Sequence, residues 1–491
     1  MNFPRTIGSV LAALAVLGAT SPASAQFQLG GMNVEGDVEA GLRFLPNEPS
    51  ETQRGKFEEY RDFTEGLFLQ SLELRIFRPD ESYSTSIVGS MWGQQDQEFS
   101  LRTGRLGLWE FGLDWDQTPH IFSTTGRMLA TRTQPDAYTL PTPRPSLSAY
   151  NLGPRIDEIG VRWDTARFVF SVTPTPDLEL RAEYTRIKKD GDRPISMGFG
   201  GPGGNFLEFL EPIDQTVHDL RLKAALAREN WQLQFGYAFS MFDNGFRSVR
   251  ADNPCFGLSA ALTAASPGCG ADSVGPPTGL LSLAPSNQAH AINVAGGINL
   301  PMRTRITANF GYSLRLQDEP FLAHTVNAAL TGSPLLVLPQ RSLDGMVSTL
   351  LFNLNAVSRP IKPLTLTLKY RAFNLHDMSD EPVFLGHVVN DRGPVVDELR
   401  TSPRFGYTRH NLDVDGRWRF GQPLAVTLGG GWERMDRVSH REAPMTDEVF
   451  AKAVVDVTPW DWLQARLAYR PSFRRIAEYN TFAHHEHTVL E

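Results

Sequence analysis

Cys255 and Cys269 are the only cysteines in the chain, and both stand in one loop-like stretch. In an oxidising compartment such a pair favours a disulfide. Two free thiols or a metal pair is the alternative, weakened because no histidine lies between them. A C-x-x-C-H haem attachment and a four-cysteine metal site are both absent from the sequence. Asp114, Asp116 and His120 could be drawn as an acid/base group, but the two aspartates also fit an ordinary polar strand face. His484, His485 and His487 with Glu486 suggest metal binding, although a solvated tail or part of an unfinished strand explains them as well. Gly200-Gly201-Pro202-Gly203-Gly204 is no phosphate loop, since no Lys-Ser/Thr follows. The charges Glu179, Arg181 and Glu183, and again Asp219, Arg221 and Lys223, alternate with apolar residues. That spacing suits cross-strand ion pairs and contacts to a partner, not a nucleophile and base. The chain therefore reads as a non-enzyme that binds no cofactor of its own.

Such alternation needs strands to carry it. Trp231, Leu233, Phe235, Tyr237, Phe239 and Met241 alternate with Gln232, Gln234, Gly236, Ala238 and Ser240. A period of two over ten or more residues means strand, not helix. The preceding arm places Leu220, Leu222, Ala224 and Leu226 opposite Asp219, Arg221 and Lys223, with a turn at Arg228-Glu229-Asn230. At about 3.3 Å per residue, the row from Trp231 to Phe239 spans roughly 26 Å, near the apolar band of about 25 Å on an outer-membrane barrel.

The same grammar runs through the chain, from residues 33–44 to residues 463–469, and gives about seventeen strands. Short turns such as Arg78-Pro79-Asp80 and Pro174-Thr175-Pro176-Asp177 alternate with long connections. Examples are residues 118–154, 190–215 and 243–287, the last of them the longest. Outer-membrane barrels show this asymmetry, with short periplasmic turns and long external loops. The fold expected is all-β: a large antiparallel transmembrane β-barrel. A soluble sandwich rarely needs strands this long.

The 491 residues carry a net charge of -8, with 41% hydrophobic and 21% charged residues. That mild acidity gives no reason to expect nucleic acid. Residues 1–25 read as a signal peptide: Arg5, an apolar run over residues 7–19, and Ala23-Ser24-Ala25 as cleavage site. Residues 26–491 are then the barrel, exported to the bacterial outer membrane and its lipid. An odd strand count conflicts with the even counts of single-chain bacterial barrels. Either one strand is missed or the chain is C-terminally incomplete.

Four stretches resemble the MtrB/PioB family of decahaem-cytochrome-associated outer-membrane barrels. They are Gly55-Lys56-Phe57-Glu58-Glu59-Tyr60-Arg61-Asp62, Asp114-Trp115-Asp116-Gln117-Thr118-Pro119-His120, Pro212-Ile213-Asp214-Gln215-Thr216-Val217-His218-Asp219 and Tyr479-Asn480-Thr481-Phe482-Ala483-His484. The resemblance runs from about residue 33 to the end. It implies a sheath around a periplasmic multihaem c-type cytochrome, through whose haems electrons cross the outer membrane. The haem would belong to the partner, and Glu179, Arg181, Glu183, Asp219, Arg221 and Lys223 would be lumen-facing partner contacts. Some members carry an N-terminal cysteine pair; this chain has none there, and any role tied to it is not carried over. A general diffusion porin with a water-filled lumen shares the same strand grammar and is the alternative.

Overall fold

In the computed structural model, which describes residues 23–61, 63–145, 153–199, 205–264, 277–388, 393–396, 400–438 and 442–480, the period-two stretches pair with one another. Along the chain come β1 (Ala23–Leu29), β2 (Met32–Arg43), β3 (Gly66–Phe77), β4 (Tyr83–Trp92), β5 (Glu98–Arg105) and β6 (Trp109–Ser123). A small hairpin, β7 (Thr131–Gln134) and β8 (Ala137–Thr139), precedes β9 (Ile159–Thr175), β10 (Leu178–Phe199), β11 (Asn205–Ala227) and β12 (Trp231–Asn244). Then follow β13 (Ser248–Asp252), β14 (Thr278–Ser282), β15 (Asn287–Leu300), β16 (Thr304–Gln317), β17 (Gly345–Ile361) and β18 (Leu364–Asp377). Four two-residue strands, β19 (Val383–Phe384), β20 (His387–Val388), β21 (Pro394–Val395) and β22 (Arg400–Thr401), lie in the next connection. The last are β23 (Tyr407–Arg419), β24 (Leu424–Arg437), β25 (Met445–Trp460), β26 (Leu463–Tyr469) and β27 (Ser472–Ile476).

Nineteen strands form one antiparallel sheet, in which consecutive wall strands pair from β1 to β26. Among the described residues β1 pairs with β2 only, and β26 and β27 share the free edge of β25 as one broken row. The count of about seventeen lacked β1 and β27. The first lies across the proposed cleavage site, where Ala23, Ser24 and Ala25 face Val38, Asp37 and Gly36. The second is a short run after Pro471 with too few residues to show a period. Residues 1–22, with the apolar run of the signal peptide, lie outside the described residues.

Register fixes the two faces of the wall, because a one-residue slip would exchange them. Leu180, Leu222, Leu233, Phe235, Phe168 and Phe170 lie on one face and are 37–46% exposed. For a water-soluble sheet this would be a large unsatisfied apolar surface; in a bilayer it is the lipid contact. Aromatic rings fringe it at both ends. Trp460 stacks on Trp462 at 5.4 Å and Trp418 lies 6.4 Å from Phe420 at the short-turn end. Trp92 lies 6.2 Å from Phe99 at the other. Rings at both interfaces are the girdles of a transmembrane barrel.

Three long connections are more structured than their Pro- and Gly-rich sequences suggest. β10 and β11 run 22 and 23 residues, roughly 70 Å at about 3.3 Å each, far beyond what a bilayer needs. The segment read as a Gly-rich connection, residues 190–215, is the extended half of this hairpin; Gly200 to Gly204 lie outside the described residues. Its face bearing Glu179, Arg181 and Glu183 continues in unbroken register to Ile195, Met197 and Phe199. There the side chains turn apolar and pack under a four-stranded sheet of β14, β13, β8 and β7. Tyr138, Val249, Ala251 and Phe209 are at most 2% exposed. This cap, on the polar-face side of the wall, holds the main cluster of buried apolar side chains among the described residues.

Candidate functional site

The polar face is built by the alternation that builds the lipid face. β10 meets β11 with Arg181 opposite Lys223, Glu183 opposite Arg221 and Thr185 opposite Asp219. Glu183 is the centre of this group. Arg167 of β9 donates to it at 3.0 Å, and the Arg181 and Arg221 guanidinium groups lie 3.5 Å and 3.6 Å away. Lys223 lies 3.8 Å from Glu179. Asp219 faces Thr185 and Ser240 and makes no ion pair among the described residues. The six charged positions expected on one face are therefore on one face, five of them in ion pairs.

The ladder continues sideways. Asp114 of β6 faces Arg167 and takes Arg102 of β5 at 2.7 Å and the Ser100 hydroxyl at 2.9 Å. Further round, Arg417 and Arg466 hold Asp456 at 2.7 Å and 2.6 Å, and Lys452 holds Asp415 at 2.7 Å. Between the two charged arcs amide side chains join the lining, together with Lys369 and Arg371 of β18, both exposed and without an ion pair among the described residues. Asn293 donates to Asn309 at 2.8 Å, and Asn309 faces Asn353. Exposed cross-strand pairs such as Lys223–Glu179 are each worth about 0–1 kcal/mol, so they hold charges along the wall more than they stabilise it. Two like-charged pairs also stand in direct register, Asp37 of β2 opposite Glu73 of β3 and Glu98 of β5 opposite Asp116 of β6, all four without an ion pair among the described residues.

Asp114, Asp116 and His120 do not assemble as an acid/base group. Asp114 is committed to Arg102, Asp116 accepts from the Thr118 hydroxyl at 3.0 Å, and His120 stacks on Tyr60 at 4.7 Å. The His120 contact joins two of the sequence motifs. The connection after β2 carries a short helix, Glu51–Phe57, instead of the irregular chain its polarity suggests. Beyond it the Ile121 amide donates to the Glu59 carbonyl at 2.9 Å, and His120 lies 3.7 Å from the Glu59 carboxylate. The Arg155 guanidinium beside Glu51 lowers that carboxyl's pKa below its ordinary value.

The other motifs are structural joints too. Asp214 pairs with Lys188, its carbonyl accepts from the Gly245 amide at 2.8 Å, and His218 bonds the Tyr184 hydroxyl at 2.7 Å. The Asn480 amide donates to the Glu442 carbonyl at 2.8 Å; residues 481–491, with His484, His485, Glu486 and His487, lie outside the described residues. Cys255 is 2% exposed and disulfide-bonded, with its amide on the Asn253 side chain at 2.9 Å. Cys269 lies outside the described residues.

The family described as "Putative outer membrane beta-barrel porin, MtrB/PioB" matches residues 50–489. The chain belongs to the MtrB/PioB family. Its fold, a large antiparallel sheet of nineteen strands, is that of an outer-membrane barrel. No curated protein matches the chain. Among solved structures, the ferric-catecholate import receptor Fiu of E. coli K12 in its open form is 11% identical, with TM-score 0.34, over 94% of this chain and 65% of the receptor. The ferric citrate transporter FecA is 10% identical, with TM-score 0.33, over 93% of this chain and 59% of the transporter. The copper transporter OprC is 8% identical, with TM-score 0.35, over 93% and 71%. The chain thus spans less than two thirds of the first two of these proteins.

Proposed function

We propose that this MtrB/PioB barrel is a sheath, enclosing a periplasmic multihaem c-type cytochrome where its haem chain crosses the outer membrane. The wall supplies insulation and a polar lining, and the haem belongs to the partner. The observation that supports this is the state of the lining. Several of its central carboxylates bond to cations of the same wall, as Glu183 does with Arg167, Arg181 and Arg221. Carboxylates paired in this way exert less field on passing ions, and the polar lining suits a protein surface of similar polarity. Asp37 and Glu73 form a bare acidic pair that a cationic side chain of an occupant would satisfy. Polar contacts of this kind fix register more than they add affinity.

The family's own description as a porin favours a second reading, a water-filled diffusion pore, and one experiment separates the two. Full-length protein is purified from native membranes in detergent and read by haem absorbance. It is then placed in liposomes holding a reducible dye. The sheath predicts co-purifying haem and dye reduction with little sugar leakage. Haem-free protein that passes sugars freely, and never reduces the dye when a cytochrome is supplied, makes the chain a porin.

A further inference from the structure

Three tyrosine–histidine pairs repeat on the lipid face with one geometry. The Tyr184 hydroxyl meets His218 Nδ1 at 2.7 Å, Tyr237 meets His290 at 2.9 Å, and Tyr370 meets His410 at 2.9 Å. Each tyrosine stands six residues into a strand that starts at a short turn, at Leu178, Trp231 and Leu364. Each histidine lies diagonally across on the next strand, since the tyrosines face Leu220, Ile292 and Leu412 directly. The three pairs therefore sit at one height. Just beyond them the same face turns from apolar to charged, through Arg186 and Lys188 on β10 and Arg434 and Asp436 on β24. This is the boundary between hydrocarbon and headgroups at the long-connection end, external in outer-membrane barrels.

At this boundary Arg186 differs from its neighbours. Arg162 is held by Asp164 at 2.9 Å, Lys188 by Asp214 and Arg434 by Asp436 at 3.1 Å. Arg186 stands directly opposite His218, is half-buried, and makes no side-chain hydrogen bond or ion pair among the described residues. Fixing its Nδ1 on Tyr184 leaves the other ring nitrogen of His218, Nε2, for a second partner. A guanidinium and an imidazole edge, side by side at headgroup depth, match the oxygens of a phosphate.

We propose that Tyr184, His218 and Arg186 form a binding site for the phosphate of an outer-leaflet lipid, of the lipid A class. Arg186 supplies the charge, His218 a second contact, and Tyr184 positions the imidazole. The site rests on the outer-membrane location of the family and is independent of what fills the lumen.

The test uses the full chain, purified in non-ionic detergent and titrated by native mass spectrometry. The probes are diphosphoryl lipid A, the same lipid with its phosphates removed, and inorganic phosphate. The wild type should bind the diphosphoryl lipid at least about tenfold more tightly than the dephosphorylated one. Arg186→Gln should abolish that preference, and His290→Gln, at the pair with no arginine beside it, should keep it. Heat-modifiable migration checks that each variant is folded. Should Arg186→Gln fail to fold, His218→Gln is expected to reduce the preference instead. An unchanged preference in a folded Arg186→Gln or His218→Gln, or equal binding of the two lipids, overturns the proposal. Inorganic phosphate bound as tightly as the lipid would make this a free-anion site and overturn it as well.

Discussion

Asp37 and Glu73 face each other across β2 and β3, two carboxylates in direct register with no cation bonded to either among the described residues. Like charges directly opposite destabilise a strand pair. In the empty barrel, Asp37→Asn should therefore stabilise the wall by about 0.2–1 kcal/mol, read as a higher temperature for loss of the folded, heat-modifiable band. With an occupant present the same change should weaken its retention. A variant that is less stable when empty would mean that another group already satisfies the pair.

Leu222 and Lys223 adjoin in sequence and stand on opposite faces of β11. Leu222→Arg places a charge against lipid and should cost about 2–4 kcal/mol near mid-membrane, visible as lost membrane assembly. Lys223→Gln removes a 3.8 Å pair with Glu179 and should assemble normally. Equal tolerance of the two would mean that the faces are reversed.

Cys255 is buried in the cap region, and a bond from it to Cys269 would close a loop of the size that contributes roughly 3 kcal/mol in the chain-entropy model. Non-reduced peptide mapping of protein from the native envelope should recover one Cys255–Cys269 species. Two free thiols would refute the pairing.

Tyr138 is 1% exposed, burial pushes its hydroxyl up to about 12, and that hydroxyl has no hydrogen-bond partner among the described residues. A buried donor left unsatisfied costs about 1–3 kcal/mol. Tyr138→Phe keeps the ring packing, 5.3 Å from Phe209, and should leave the cap as stable or more so against external protease. Faster cleavage of the cap in Tyr138→Phe would show that the hydroxyl has a partner in solution.

Where side chains alternate against two different solvents, the sequence carries the fold openly. The rows of Trp231, Leu233 and Phe235, or of Glu179, Arg181 and Glu183, announce strand, face and register together. The cap was illegible for a matching reason. Met197 and Phe199 lie among glycines and prolines, and their partners Tyr138 and Val249 come from connections far away in sequence. No local period marks such a contact. The Tyr184–His218 pair was hidden similarly, since its geometry appears only when β10 and β11 are in register. A tyrosine at the same offset in three strands was the available signal.

The cap also sets an order of assembly. Its core draws on the connection after β6, the far half of the β10–β11 hairpin, and the segment between β12 and β15. None of these can bury Phe209 or Val249 alone, so the core closes only after every contributing strand has been delivered to the same side of the membrane. Until then its apolar side chains travel unburied, as species prone to aggregate. The hairpin that spans the bilayer and the hairpin that nucleates the cap are one pair of strands. Insertion and cap folding are therefore successive stages of a single event, and a defect in β10 or β11 would surface in both.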